Sequence, residues 1–116
     1  AAAGSVTVRG FYVVSKSYIR ICGFEITQTV AHVYSAIRLQ ASHGSEILNN
    51  YIHHTYEAGI NLPRTAPSDN VLIRGNRLAY IGIVPTLAVG AVAITVAGDN
   101  NRVEYNDISH AGDFIN

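Results

Sequence analysis

Short stretches of alternating apolar and polar residues recur along the chain in one fixed register. In each copy an apolar residue is followed three positions later by Phe or Asn, and two positions after that by another apolar residue. The copies occupy residues 19–26, 45–52, 71–78 and 101–108, so they begin 26, 26 and 30 residues apart. A fixed repeat of this length is typical of a solenoid, in which each repeat forms one coil and stacks on its neighbours.

Stacking the repeats in register predicts three columns of aligned side chains. Strands in adjacent coils lie about 4.8 Å apart, so an inward Asn can hydrogen-bond both the backbone of its bend and the Asn one coil away. We therefore predict that the asparagines are structural. The middle column holds Phe24, Asn50, Asn76 and Asn106. The apolar column before it holds Ile21, Ile47, Ile73 and Val103. The apolar column after it holds Ile26, Ile52, Leu78 and Ile108.

The segments between the repeats distinguish two kinds of solenoid. Residues 71–78 also fit a leucine-rich repeat, which returns through a helix or a 3₁₀ segment. Here, however, second β-branched alternations follow at residues 36–39, 59–62 and 92–96, and these indicate strands. Isoleucine and valine also outnumber leucine, as expected of a pleated core. The pattern favours an all-β chain that forms a parallel β-helix, with the leucine-rich horseshoe as the alternative.

Four motifs carry a resemblance to a known superfamily. They are Asn-x-Ile-His-His at 50–54, Gly-Ile-x-Leu at 59–62, Gly-Asn-Arg-Leu at 75–78 and Asn-Arg-Val-Glu-Tyr-Asn-Asp-Ile-Ser-His at 101–110. Together they resemble the repeats of the pectate-lyase-like superfamily, and in particular its bacterial, secreted, carbohydrate-active β-helix proteins. The resemblance implies a single-stranded, right-handed parallel β-helix of about four to five coils. Residues 1–116 would then be an uncapped excerpt of one longer β-helix domain, secreted or displayed on the cell surface.

Charge and composition exclude some partners. The chain has eight basic and eight acidic residues, and its arginines are scattered rather than clustered, so we expect no nucleic-acid partner. Residues 79–97 carry no charge, but Gly82, Pro85 and Gly90 interrupt them, and we expect a loop and a strand there rather than a membrane span. The single Cys22 is expected to be a half-buried structural thiol.

The corner that follows each Asn-containing strand varies in length, most of all at residues 81–90, while the strands keep their lengths. Insertions on one face of a solenoid often mark its binding face. By alternation from the apolar positions, Arg38, Asn61 and Thr95 point outward from the strand after this corner. We predict that Arg38 and Asn61 bind substrate, since Arg can pair with a uronate carboxylate. In the superfamily that the chain resembles, the corresponding surface holds polysaccharide, which is the partner we expect.

A polar column of Gln28, His54, Tyr80 and His110 lies two residues past the apolar end of each repeat, at the edge of the variable corner. His titrates near neutrality and is suited to acid–base catalysis. We therefore predict catalytic roles for His54 and His110, with Glu57 and Asp113 as nearby carboxylates. The two histidines stand two coils apart, about 9.6 Å, so we expect no shared metal, and the sequence identifies no cofactor.

Two classes of function remain open at this point. In one, the chain is part of a polysaccharide lyase or a glycoside hydrolase. Glu57 and Asp113 would then be the available carboxyl pair, about 9.6 Å apart and just beyond the range that hydrolases use. In the other, the β-helix is a non-catalytic rod or adhesin that binds glycans or protein partners.

Overall fold

The chain winds through three parallel sheets in turn, as seen in a computed structural model that describes residues 6–28, 35–82, 92–111 and 113–115. We name the sheets A, B and C in the order in which the chain meets them. Every strand pairing within them is parallel. Sheet A has strand order β1-β4-β7-β10-β13, sheet B has β14-β11-β8-β5-β2, and sheet C has β12-β9-β6-β3.

The strands are short, as the repeat predicts. Their bounds are β1 Val6–Val8, β2 Phe11–Val14, β3 Arg20–Cys22, β4 Phe24–Thr27, β5 Ile37–Gln40, β6 Glu46–Leu48, β7 Tyr51–Thr55, β8 Ile60–Leu62, β9 Leu72–Arg74, β10 Arg77–Ile81, β11 Val92–Val96, β12 Arg102–Glu104, β13 Asp107–Ser109 and β14 Asp113–Ile115. The described residues contain no helix. The prediction of an all-β parallel solenoid is therefore confirmed, and the leucine-rich horseshoe is wrong.

The turns that can be followed without a break are fewer than the four to five coils expected. Residues 29–34 and 83–91, which fall within two of the turns, lie outside the described part of the chain. Most of the long predicted loop at residues 81–90 therefore also lies outside it. None of the described residues belongs to a helix that could span a membrane.

The interior of the solenoid is made of the predicted apolar columns. Ile47 pairs in register with Ile21 and Ile73 in sheet C, and Ile52 with Ile26 and Leu78 in sheet A. All of them are at most 3% exposed. Sheet B contributes Ile37, Leu39, Ile60, Leu62 and Ile94, each fully buried. Because every inward residue stacks on its equivalent one coil away, a repeating sequence yields one continuous core.

The predicted asparagine ladder joins sheets C and A at their shared corner. The Asn50 backbone N–H donates to Asn76 Oδ1 at 2.9 Å, and the Asn76 N–H donates to Asn106 Oδ1 at 2.9 Å. The side-chain Nδ2 groups donate to carbonyls on the sheet C strand of the preceding coil, from Asn50 to Ile21 and from Asn76 to Ile47. The ladder thus satisfies backbone groups that the corner would otherwise bury without partners. It also confirms that these asparagines are structural.

Sheet C shows an ordinary solvated outer face. Its charged side chains pair with one another: Arg20 Nη2 lies 2.7 Å from Glu46 Oε1, and Glu104 bonds both Arg74 and Arg102. Cys22 is exposed on this face, so the expectation of a half-buried thiol is wrong. Alternation places Cys22 on the outer side of the strand, with Ile21 pointing inward beside it.

Candidate functional site

Three flat rings stack at the end of sheet A, where the chain turns toward sheet B. The His54 and Tyr80 rings lie 4.9 Å apart and 20° from parallel, and Tyr80 and His110 lie 4.4 Å apart and 16° from parallel. All three residues have nearly the same left-handed φ, at 52°, 54° and 53°. Their side chains therefore leave the backbone in the same direction and remain exposed.

This stack confirms three of the four members of the predicted polar column. Gln28, the fourth, is 1% exposed and does not join the rings. Its Oε1 accepts a hydrogen bond from the Tyr56 N–H at 2.9 Å. Gln28 thus closes the adjacent corner from the inside.

His54 is also the outer end of a chain of hydrogen-bonded groups that spans β1, β4 and β7, three adjacent strands of sheet A. Its Nδ1 lies 2.8 Å from Nδ1 of His53. The Nε2 of His53 lies 2.8 Å from Oε2 of Glu25, and the other oxygen of Glu25 accepts a hydrogen bond from the Thr7 hydroxyl at 2.9 Å. One carboxylate and two imidazoles are therefore connected in series on the outer face of sheet A.

The side chains around this series hold it in place. The Tyr51 ring stacks on the His53 ring, with the centroids 4.4 Å apart. The Arg77 guanidinium lies over the same Tyr51 ring, 5.0 Å from its centroid. The hydrogen bond from His53, followed by that from Thr7, lowers the pKa of Glu25 below its usual value. Glu25 is therefore a carboxylate at neutral pH, and its side chain is only 27% exposed.

A second outward-facing set lies on sheet B. Tyr12, Arg38, Asn61 and Thr95 follow one another in register on β2, β5, β8 and β11. The Arg38 guanidinium lies 5.6 Å from the centroid of the Tyr12 ring. The Gln40 amide, with its oxygen turned toward Arg38, accepts hydrogen bonds from Nη2 at 2.9 Å and from Nε at 3.0 Å. Arg38 is thus held against the sheet, with the charge at the surface.

An open depression of about 290 Å³ adjoins this set at the ends of β8 and β11. Two of its lining residues, Asn61 and Thr95, belong to the outward column, and Arg64 adds an exposed cation. Pro63 and Val96 complete the lining. The depression therefore combines amide, hydroxyl and guanidinium groups with a small apolar surface.

The predicted site residues fall into separate places. Arg38 and Asn61 lie side by side on sheet B, and His54 and His110 lie in the ring stack at the end of sheet A. Glu57 occupies the turn between β7 and β8, where the Thr55 hydroxyl donates to its backbone carbonyl at 2.8 Å. The side chain of Asp113 lies outside the described residues. The carboxyl pair of Glu57 and Asp113 stays a prediction.

Sequence reasoning missed Glu25 and His53. Glu25 pairs in register with Tyr51 rather than with His53, so its bond to His53 runs diagonally between adjacent coils. A search along single columns does not find such a contact. The available signal was the outward alternation of both residues on neighbouring strands of one sheet. Within the described residues, no group of three or more His, Cys, Asp or Glu side chains could hold a metal ion.

Comparison with known proteins places the chain in one family. No curated protein and no solved structure matches it. A family described as "Protein of unknown function (DUF1565)" matches residues 2–113, nearly the whole chain. The repeated strands and ladders described above are therefore features of a β-helix repeat protein, and the chain belongs to the DUF1565 family.

Proposed function

We propose that this chain is part of a secreted, carbohydrate-active β-helix protein of the pectate-lyase-like type, which binds a polysaccharide along the outer face of sheet B. The observation that carries the proposal is the outward column of Tyr12, Arg38, Asn61 and Thr95, which ends at an open depression. We take the winding to be right-handed, since about 98% of crossover connections between parallel strands have that hand.

The column suits a glycan in its spacing and in its chemistry. Its members repeat at the strand separation of about 4.8 Å, so a chain lying across the strands meets one polar group per coil. Asn61 and Thr95 supply hydrogen-bonding groups for sugar hydroxyls. The Tyr12 ring, which is half exposed, offers an apolar surface for the face of a sugar ring.

Arg38 favours an acidic polysaccharide over a neutral one. Its guanidinium is already oriented by Gln40 and by the Tyr12 ring, so little side-chain freedom is lost when a carboxylate binds. Arg64 at the depression adds a second positive charge on the same face. A uronate-containing chain would meet both.

The test is binding of the chain to polygalacturonate and to a neutral dextran, measured by affinity electrophoresis and by calorimetry. Arg38→Ala should weaken polygalacturonate binding at least about tenfold, because a hydrogen bond to a charged group contributes about 1.5–3 kcal/mol and each 1.4 kcal/mol is a factor of ten. Arg20→Ala is the matched control, since Arg20 is an exposed arginine on sheet C that is paired with Glu46. Its affinity should stay at the wild-type value.

Each outcome separates the possible functions. Release of unsaturated or hydrolysed products from the bound polysaccharide supports a lyase or a glycoside hydrolase. Binding that depends on Arg38 without any product supports the non-catalytic adhesin. Equal losses from Arg38→Ala and Arg20→Ala, or no binding to any polysaccharide, would refute the site on sheet B.

A further inference from the structure

When both imidazoles are neutral, the hydrogen bonds of the series Glu25–His53–His54 define where its protons lie. An ionised carboxylate only accepts hydrogen bonds, so Nε2 of His53 donates to Glu25. A neutral imidazole carries one N–H, which leaves Nδ1 of His53 as the acceptor for the Nδ1–H of His54. The Nε2 atom of His54 then carries a lone pair, and this ring is exposed. Glu25 and His53 thus hold His54 as a proton acceptor that faces solvent.

The ring stack places a hydrogen-bond donor beside this acceptor. Tyr80 stacks on His54 with ring centroids 4.9 Å apart, and the two residues share the same backbone conformation. The phenol ring of Tyr80 and the imidazole ring of His54 therefore lie one on the other in adjacent coils, so a substrate at the exposed edge of the stack can contact both side chains. A carbonyl group bonded to the hydroxyl could be approached by a water molecule bonded to Nε2.

We propose that Glu25, His53, His54 and Tyr80 form a general-base site for the hydrolysis of carboxylic esters. His54 Nε2 takes a proton from water as the water oxygen bonds to the ester carbonyl carbon, and Tyr80 donates a hydrogen bond to the carbonyl oxygen. The Nδ1 proton of His54 passes to Nδ1 of His53, so the positive charge rests beside Glu25. When the carbon–oxygen bond to the leaving alcohol breaks, the alcohol oxygen takes the proton from His54 Nε2, and His53 returns its proton to His54.

In this scheme His54 and Tyr80 contact the substrate, whereas Glu25 and His53 are positioning residues that act through His54. The charged groups on the same face are consistent with these roles. The Arg77 guanidinium lies over the Tyr51 ring, and Asp107 is the register partner of Arg77 on β13, the strand beyond it. The Thr7 hydroxyl holds the second oxygen of Glu25.

His43 is a natural control within the same molecule. It is an exposed histidine near a carboxylate, with its Nδ1 3.7 Å from Asp69 Oδ2. That nitrogen accepts a hydrogen bond from the Asp69 backbone N–H at 3.0 Å, so the proton of the neutral ring is on Nε2. His43 therefore presents no exposed lone pair and should not act as a base.

The experiment measures hydrolysis of p-nitrophenyl acetate by the whole chain and by single variants. His54→Asn should lower the rate about 100-fold, the lower end of what a positioned general base contributes. Asn is the chosen replacement because it tolerates the left-handed φ at this position. Tyr80→Phe should lower the rate about tenfold, less than the loss of a buried oxyanion donor, since Tyr80 is exposed. His43→Asn should leave the rate unchanged.

The relay itself is tested by Glu25→Gln. The uncharged amide no longer stabilises the protonated relay, so the acidic limb of the pH–rate profile should move to lower pH, and the maximal rate should fall. A residue with only a structural role would change the melting temperature without moving that limb. The reaction should also be slower in D₂O, because a proton is in transfer during water attack.

Several results would overturn the inference. These are equal rates for wild type and His54→Asn, an unmoved pH profile in Glu25→Gln, or acetylated His54 found by mass spectrometry after rapid quenching, which would show nucleophilic attack instead. The small ester does not need the sheet B surface. Loss of polysaccharide binding in Arg38→Ala and loss of ester hydrolysis in His54→Asn are therefore independent results.

Discussion

Replacing Asn76 with Ala should remove the most heavily bonded position of the ladder. Asn76 is 1% exposed, and its side chain takes part in four hydrogen bonds. Its Nδ2 donates to the Ile47 carbonyl and to Asn106 Oδ1, each at 3.0 Å. Its Oδ1 accepts from the backbone N–H of Asn50 at 2.9 Å and from Asn50 Nδ2 at 3.0 Å. Alanine abolishes all four bonds and leaves the Asn50 N–H buried without its partner.

The expected loss follows from these contacts. Each hydrogen bond contributes about 0.5–1.5 kcal/mol net, and a buried group left unpaired costs about 1–3 kcal/mol. We expect Asn76→Ala to lower the free energy of unfolding by about 4 kcal/mol, a large share of the stability of a small domain. Urea unfolding followed by circular dichroism measures the change as a lower midpoint.

Asn61→Ala is the matched control, because Asn61 is a half-buried asparagine on the outer face of sheet B. It should change the free energy of unfolding by about 0.5 kcal/mol or less, as is usual for surface substitutions. If Asn76→Ala and Asn61→Ala destabilise the chain equally, or if Asn76→Ala costs less than about 1 kcal/mol, the ladder does not hold the corner together.

Two further predictions concern burial and pH. Ile73→Asp should unfold the chain, since it places an unpaired charge at a fully buried position. Arg74→Ala should cost about 1 kcal/mol or less, because it removes only exposed contacts. Similar melting temperatures for the two variants would show that the inward and outward assignments are wrong. The pKa of Glu25 is lowered by its hydrogen bond to His53, so its stabilisation is present above the ordinary pKa of a glutamate and is lost as the pH falls through the lowered value. The melting temperature of Glu25→Gln should therefore lie below that of wild type at neutral pH and converge with it in acid, and a difference that is independent of pH would contradict this assignment.

The sequence by itself determined the strands, the inward columns and the asparagine ladder. Each of these depends on a residue stacking on its equivalent one repeat away, and the register at Ile47, Asn50 and Ile52 recurs 26 residues later at Ile73, Asn76 and Leu78. In a solenoid each repeat contacts only its neighbours, so a one-dimensional pattern is enough to specify this part of the structure. The outward alignment of Arg38 with Asn61 followed for the same reason.

The tertiary structure alone decided which polar side chains meet across columns. Glu25 and His53 stand at different register positions, and their bond depends on side-chain direction across two neighbouring strands. Gln28 shares the column of His54 in sequence but turns inward to bond Tyr56. Backbone stacking repeats with the period of the sequence, whereas a hydrogen bond between two side chains depends on rotamers and on neighbours from several strands. That is the physical reason why the scaffold could be predicted from the chain and the Glu25–His53–His54 series could not.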